Sequence, residues 1–146
     1  MKSASRLYAV QALFQMEQGD AGLDRVRDEF LDHRFGVEQI EGEEMLEGDV
    51  SLFSKVLEEA VSYQAKIDQM TDRALVAKWP IARIDPVLRA LFRAAGAEMV
   101  ALETPPKVVI VEYLDVAQAF FPDGKEAKFV NAVLDHMARE ARPEAF

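Results

Sequence analysis

Apolar residues recur at three- and four-residue spacing along nearly the whole chain, which is the period of an α-helix. No segment shows a competing strict alternation of the kind that marks a half-buried strand. The spacing predicts about seven helices, over 3–17, 23–35, 49–71, 71–78, 86–102, 107–120 and 125–142. So many helices in 146 residues imply a single all-α domain, with a core that needs no disulfide or metal.

Proline and acidic capping residues mark several of these helix boundaries. Asp85-Pro86 puts a capping carboxylate before a proline in the first turn, and Thr104-Pro105-Pro106 repeats the pattern. We expect Asp49 to cap the third helix, which should break near Thr71. Trp79-Pro80 is the clearest interruption in the chain, because proline disfavours helical backbone in the residue before it.

The charge of the chain is unevenly distributed. The net charge is −9, yet residues 17–59 hold 14 acidic against 4 basic residues, while residues 1–16 carry Lys2 and Arg6 and no acid. Separate faces of a protein act separately, because salt screens charges over roughly 8–10 Å. The overall charge therefore excludes a generic basic DNA-binding protein but is compatible with a local RNA-binding patch.

Signals for catalysis, cofactors and membranes are weak. The chain has no cysteine, which excludes disulfides, thiolate metal sites and cysteine nucleophiles. His33 and His136 fall in different predicted helices, and the acidic run at 41–44 lacks the alternation of a calcium loop. The most aliphatic run, 108–111, is too short to cross a bilayer, and no signal core precedes the first helix. We therefore expect a cytoplasmic protein with no catalytic residue, metal or cofactor.

Two short segments carry features that suit RNA. Lys2, Ser3, Ser5 and Arg6 begin the first helix, where free N–H groups already favour phosphate. Near the start of the last helix, Lys125 and Lys128 could hold a nucleic-acid backbone and Asn131 could read a base edge.

Phe121, four residues before Lys125, could stack on an unpaired base. The plainer alternative is that Phe121 packs against Phe129 and that the lysines are merely solvated. On the pattern alone, this alternative is favoured.

Four stretches of the chain are similar to those of a known family. They are Arg6-Leu-Tyr-Ala-Val-Gln-Ala-Leu-Phe14, Asp85-Pro-Val-Leu-Arg-Ala-Leu91, Pro105-Pro-Lys-Val-Val-Ile-Val-Glu112 and Lys128-Phe-Val-Asn-Ala-Val-Leu-Asp135. In this order they resemble the signatures of the NusB family of bacterial transcription antitermination factors, over essentially the whole chain.

The resemblance implies an all-helical fold of two packed subdomains, which we place at about 1–79 and 80–146 of one RNA-binding domain. It also implies binding to boxA RNA of ribosomal RNA leader transcripts together with NusE, a small-subunit ribosomal protein, in a complex that acts on RNA polymerase. The RNA-binding candidates that it implies are Lys2, Arg6, Gln11, Phe121, Lys125, Lys128, Phe129 and Asn131. The candidates for the NusE-facing surface are Ile84, Asp85 and Arg89.

The chain departs from the family pattern at three points. Only Lys2 and Arg6 remain of a usually arginine-rich N-terminus, Ala132 stands where a glycine usually follows the asparagine, and Val111 stands where an asparagine usually precedes Glu112. Fewer cations predict weaker RNA binding and greater dependence on NusE. Two alternatives stay open, a protein-only interaction module and a stand-alone accessory domain that has lost RNA binding, and self-association is also open.

Overall fold

The structure is a computed structural model that describes residues 2–19, 22–32, 47–78 and 84–146. In these ranges the protein is all-α, as the sequence predicts. The helices are α1 (Lys2–Gln18), α2 (Leu23–Phe30), α3 (Glu47–Ser62), α4 (Gln64–Lys78), α5 (Pro86–Ala101), α6 (Pro106–Phe120) and α7 (Ala127–Ala141), followed by a 3₁₀ turn (Pro143–Ala145).

Two predicted boundaries around α3 and α4 are wrong. Asp49 lies inside α3, which already includes Glu47, and so it does not cap that helix. The break falls at Tyr63 rather than at Thr71. The helix continues through Thr71, whose buried hydroxyl donates to the Ile67 carbonyl one turn earlier at 2.8 Å and is thereby satisfied inside the helix. Residues 31 and 32 continue α2 as a π-helical turn. The rest of the predicted extension of α2 to residue 35, and the interruption at Trp79-Pro80, lie outside the described residues.

Helix α5 lies at the centre of the fold. It packs against α1, α3, α4, α6 and α7, and nearly every residue from Leu88 to Met99 is buried. A helix with apolar residues around most of its circumference belongs inside a protein rather than at its surface. Gly96 lets α4 approach closely, since a Cβ there would lie 2.5 Å from Cγ2 of Ile67.

Both ends of α5 are capped. At its start the Asp85 carboxylate accepts a hydrogen bond from the Val87 N–H at 2.7 Å, which confirms the predicted cap. At its end the Arg142 guanidinium donates to the carbonyls of Met99, Leu102 and Thr104. A cation there satisfies free carbonyls and complements the helix dipole.

The remaining helices surround α5. Helices α1, α2 and α3 contact one another, while α4 contacts α5 and α7 as well as α3. The division into subdomains at 79 and 80 stays a prediction. Across the described ranges, no helix combines the length and the apolar character needed to span a bilayer.

Candidate nucleic-acid interface

The start of α7 presents Lys125, Lys128 and Asn131 to solvent. The turn before it is fixed by Gly124, whose φ of +72° suits glycine, and by the Lys125 N–H, which donates to the Asp123 carboxylate at 3.3 Å. Lys128 and Asn131 are three residues apart in the helix and therefore share a face. The Lys125 ammonium lies 4.0 Å from Asp123 and is otherwise open to water.

The opposite side of α7 is core. Val130, Val133, Leu134 and Met137 are buried, as the helical spacing predicts. Phe129 is half-buried and meets the Phe92 ring edge-on, with the ring centroids 6.2 Å apart.

Phe121 is also half-buried against the core. Each of these two phenylalanines therefore has a packing role and keeps part of its surface accessible. Whether Phe121 also stacks on a base stays a prediction.

Arg6 lies in the core instead of at the surface. Only 5% of the residue is exposed, and its Nε and Nη2 atoms bind the two oxygens of Glu98 at 2.8 and 3.0 Å. A third nitrogen lies 3.7 Å from a Glu112 oxygen. This placement does not fit the predicted phosphate contact, because the guanidinium donors are directed to carboxylates inside the protein.

A buried polar cluster, made of Arg6, Glu98, Thr104 and Tyr113, joins α1, α5 and α6. The Thr104 hydroxyl donates to Glu98 at 2.9 Å, so this fully buried carboxylate accepts three hydrogen bonds, two from Arg6 and one from Thr104. Burial disfavours a charged guanidinium, but the hydrogen bond and the charge of Glu98 outweigh that effect and raise the pKa of Arg6. Burial, and then the Glu98 charge, raise the pKa of Tyr113 well above its ordinary value.

The other α1 candidates are less defined. Lys2 lies in the first turn of α1, and its side chain is outside the described part of the chain. Gln11 is half-buried, and its amide oxygen is enclosed without a hydrogen-bond partner among the described residues. The RNA-binding candidates thus fall into two groups, one on α1 and one that runs from the end of α6 into the first turns of α7. Helices α1 and α7 both pack on α5 and α6.

The three candidates for the NusE-facing surface lie together at the start of α5. Ile84 is half-buried against the core, and Asp85 is exposed beside it. Arg89 is one turn further along and donates to Asp72 of α4 at 3.2 Å. Both charged residues therefore have structural partners as well as accessible surface.

Sequence reasoning missed Glu98. Its signal is an acidic residue within the otherwise apolar stretch 94–99, which calls for a buried partner. The partner is 92 residues away along the chain, and local spacing does not identify it. Within the described ranges, no group of three or more His, Cys, Asp or Glu residues is arranged to hold a metal ion.

Comparison with known proteins gives concordant results. The model of the NusB family matches residues 3–139. The chain is 44% identical over 150 residues to the transcription antitermination protein NusB of Granulibacter bethesdensis, covering 99% of this chain and 91% of that protein. It is 45% identical over 146 residues to the protein of the same name from Rhodopseudomonas palustris BisB18, covering 99% and 85%.

Solved structures agree with the fold. A crystal form of T. maritima NusB superposes with a TM-score of 0.78 at 28% identity and covers 100% of this chain and 96% of its own. A chain in a crystal structure of a plectonemic RNA supercoil has a TM-score of 0.72 at 22% identity, with 96% of each chain covered, and supports the fold alone.

Proposed function

Since this chain belongs to the NusB family of transcription antitermination proteins, we propose that it binds boxA RNA of ribosomal RNA leader transcripts together with NusE. In this role it is an adaptor with no catalytic step, and it works in the cytoplasm within an RNA polymerase antitermination complex. The observation that carries the proposal is the exposed group at the start of α7, formed by Lys125, Lys128 and Asn131.

This group has the chemistry that single-stranded RNA requires. Two lysines supply charge for phosphates, and an exposed amide can pair with a base edge. Lys128 has no ion-pair partner among the described residues, and so its charge is available to a ligand. Phe121 and Phe129 add partly accessible rings on which bases can stack.

Arg6 takes a different part in this proposal. We infer that it holds α1 in position through Glu98 and does not itself contact a phosphate. Lys2 and Gln11, on the same helix, remain candidate RNA contacts. The Ile84, Asp85 and Arg89 surface at the start of α5 is the proposed NusE contact.

The test is a fluorescence-anisotropy titration of boxA RNA and of a scrambled RNA, each with and without NusE, over a range of salt concentrations. Lys128→Glu should weaken boxA binding and lower the salt slope by roughly 0.7–0.9 for the lost phosphate contact. Lys55→Glu, an equal charge change at an exposed site on α3, is the matched control.

Equal binding of boxA and scrambled RNA in the presence of NusE would contradict the proposal. Arg6 is buried, and the chain has few other N-terminal cations. These two observations favour one alternative, a protein-only interaction module. That alternative predicts NusE binding with no RNA preference. Sedimentation of the same samples would report any self-association.

A further inference from the structure

Exposed apolar side chains lie on α6 and at Phe146, after the 3₁₀ turn. Among the described residues, five large apolar side chains are exposed, and three of them are Val108, Val111 and Phe146. Val111 is the most exposed, at 59%. Val108 and Val111 are three residues apart on α6 and share a face, and Val111 and Phe146 line the same groove.

The groove between α6 and α7 holds a volume of about 410 Å³, within the range of small binding sites. Lys107, Ile110 and Val111 of α6 form one wall, and Asp135 and Arg139 of α7 form the other. Phe146, which follows the 3₁₀ turn, completes the lining.

Two cations hold the Phe146 ring in this groove. The centre of the Arg139 guanidinium lies 4.4 Å from the ring centroid, and the Lys107 ammonium lies 5.8 Å from it. Cations at these distances are attracted to the face of an aromatic ring. The groove is therefore already suited to an aromatic side chain, which the chain itself supplies.

The charge of the lining favours an acidic neighbour. Asp135 is bonded to Arg139 at 2.9 Å, which leaves Lys107 as the lining charge without a carboxylate partner among the described residues. A ligand carboxylate beside an aromatic ring would meet this ammonium. An ammonium without a carboxylate partner favours an acidic ligand over a basic one.

We propose that the α6–α7 groove is a docking site for a partner-protein segment that carries an aromatic residue flanked by acidic residues. Phe146 fills the aromatic position when the partner is absent. Arg139 lies eleven residues after Lys128 on the same helix, or about 16 Å along its axis. The groove is thus a second surface, separate from the proposed RNA contacts.

The test is an NMR titration of the ¹⁵N-labelled full chain with the acetylated peptide Glu-Glu-Phe-Glu-Glu-amide. We expect amide shifts at Lys107, Val111 and Arg139. Phe146→Ala should bind the peptide several-fold more tightly because the internal competitor is removed, and Lys107→Glu should bind it several-fold more weakly. Peptides with alanine in place of phenylalanine, or lysine in place of glutamate, should bind weakly.

Several outcomes would overturn the inference. One is the absence of groove shifts with both the wild-type chain and Phe146→Ala, and another is equal binding of the acidic and the basic peptide. Groove shifts produced by RNA and not by the peptide would assign the site to nucleic acid. Concentration-dependent shifts without peptide would assign it to a second copy of the chain.

Discussion

Arg6 and Lys128 carry the same charge, and the sequence predicts the same RNA-binding role for both, yet they have opposite surroundings. Arg6 is enclosed between α1, α5 and α6, with two of its nitrogens on Glu98. The Lys128 side chain is exposed to solvent at the start of α7. A basic residue in the sequence is therefore not by itself evidence that it contacts a ligand.

The difference follows from desolvation. A buried guanidinium is tolerated only when carboxylates and hydrogen bonds replace its lost water, and the buried cluster supplies both. An exposed ammonium stays hydrated until a phosphate binds it, and so it needs no partner within the protein. Substitutions in the cluster should thus change stability first, and substitutions at the start of α7 should change RNA binding alone.

The largest effect is expected from Glu98→Leu. Removing the carboxylate leaves the Arg6 charge buried and unpaired, which should lower the free energy of unfolding by about 3–5 kcal/mol. Urea denaturation followed by circular dichroism measures it. The double variant Arg6→Met with Glu98→Leu should recover most of the loss, since two apolar side chains can replace a buried pair. A double variant as unstable as Glu98→Leu would contradict this account.

The free energy of unfolding at alkaline pH should depend on the same cluster through the Tyr113 hydroxyl. Its pKa is raised in the folded state, so the folded protein keeps this proton at pH values where the unfolded chain has lost it. The contribution of this proton to the free energy of unfolding is fully present below about pH 10 and is lost as pH rises above that value.

Tyr113→Phe should therefore reduce the decline in unfolding free energy between about pH 9 and pH 11, as measured by urea titrations. Tyr63→Phe is the matched control, because it removes the same hydroxyl from an exposed tyrosine. Equal slopes for the wild-type chain and Tyr113→Phe would count against the role given to burial.

Asp85 is intermediate between the two regions, since it is exposed and yet caps α5. Asp85→Ala should lower the free energy of unfolding by about 1 kcal/mol. Asp85→Asn keeps the cap and should retain stability while removing the charge. If NusE affinity falls for both variants, the carboxylate itself contacts the partner. If it falls only for Asp85→Ala, the cap is what matters.

The smallest effect on stability is expected for Lys125→Glu and Lys128→Glu. Both side chains are exposed, and each variant should stay within about 0.5 kcal/mol of the wild-type free energy of unfolding. Thermal and urea unfolding would measure this beside the RNA titrations. A large loss of stability in either variant would mean that the start of α7 is structural, like Arg6.

The sequence predicted most of the fold because helical periodicity is a local signal. The bounds of α1, α5 and α6 agree with the structure within one or two residues. The break after α3 was misplaced because neither Tyr63 nor Thr71 is a strong helix breaker, and so the local sequence does not choose between them. The role of Arg6 could not be predicted locally, because it depends on Glu98, 92 residues away.

The Arg142 cap has a consequence for how the chain folds during synthesis. The central helix α5 ends at Ala101, but the guanidinium that binds its last carbonyls is about 40 residues further along the chain. The Arg6–Glu98 pair likewise joins residues of α1 and α5. Contacts of such long sequence separation form slowly and late. We therefore expect the nascent chain to reach its native packing only after residue 142 has left the ribosome, in one cooperative step.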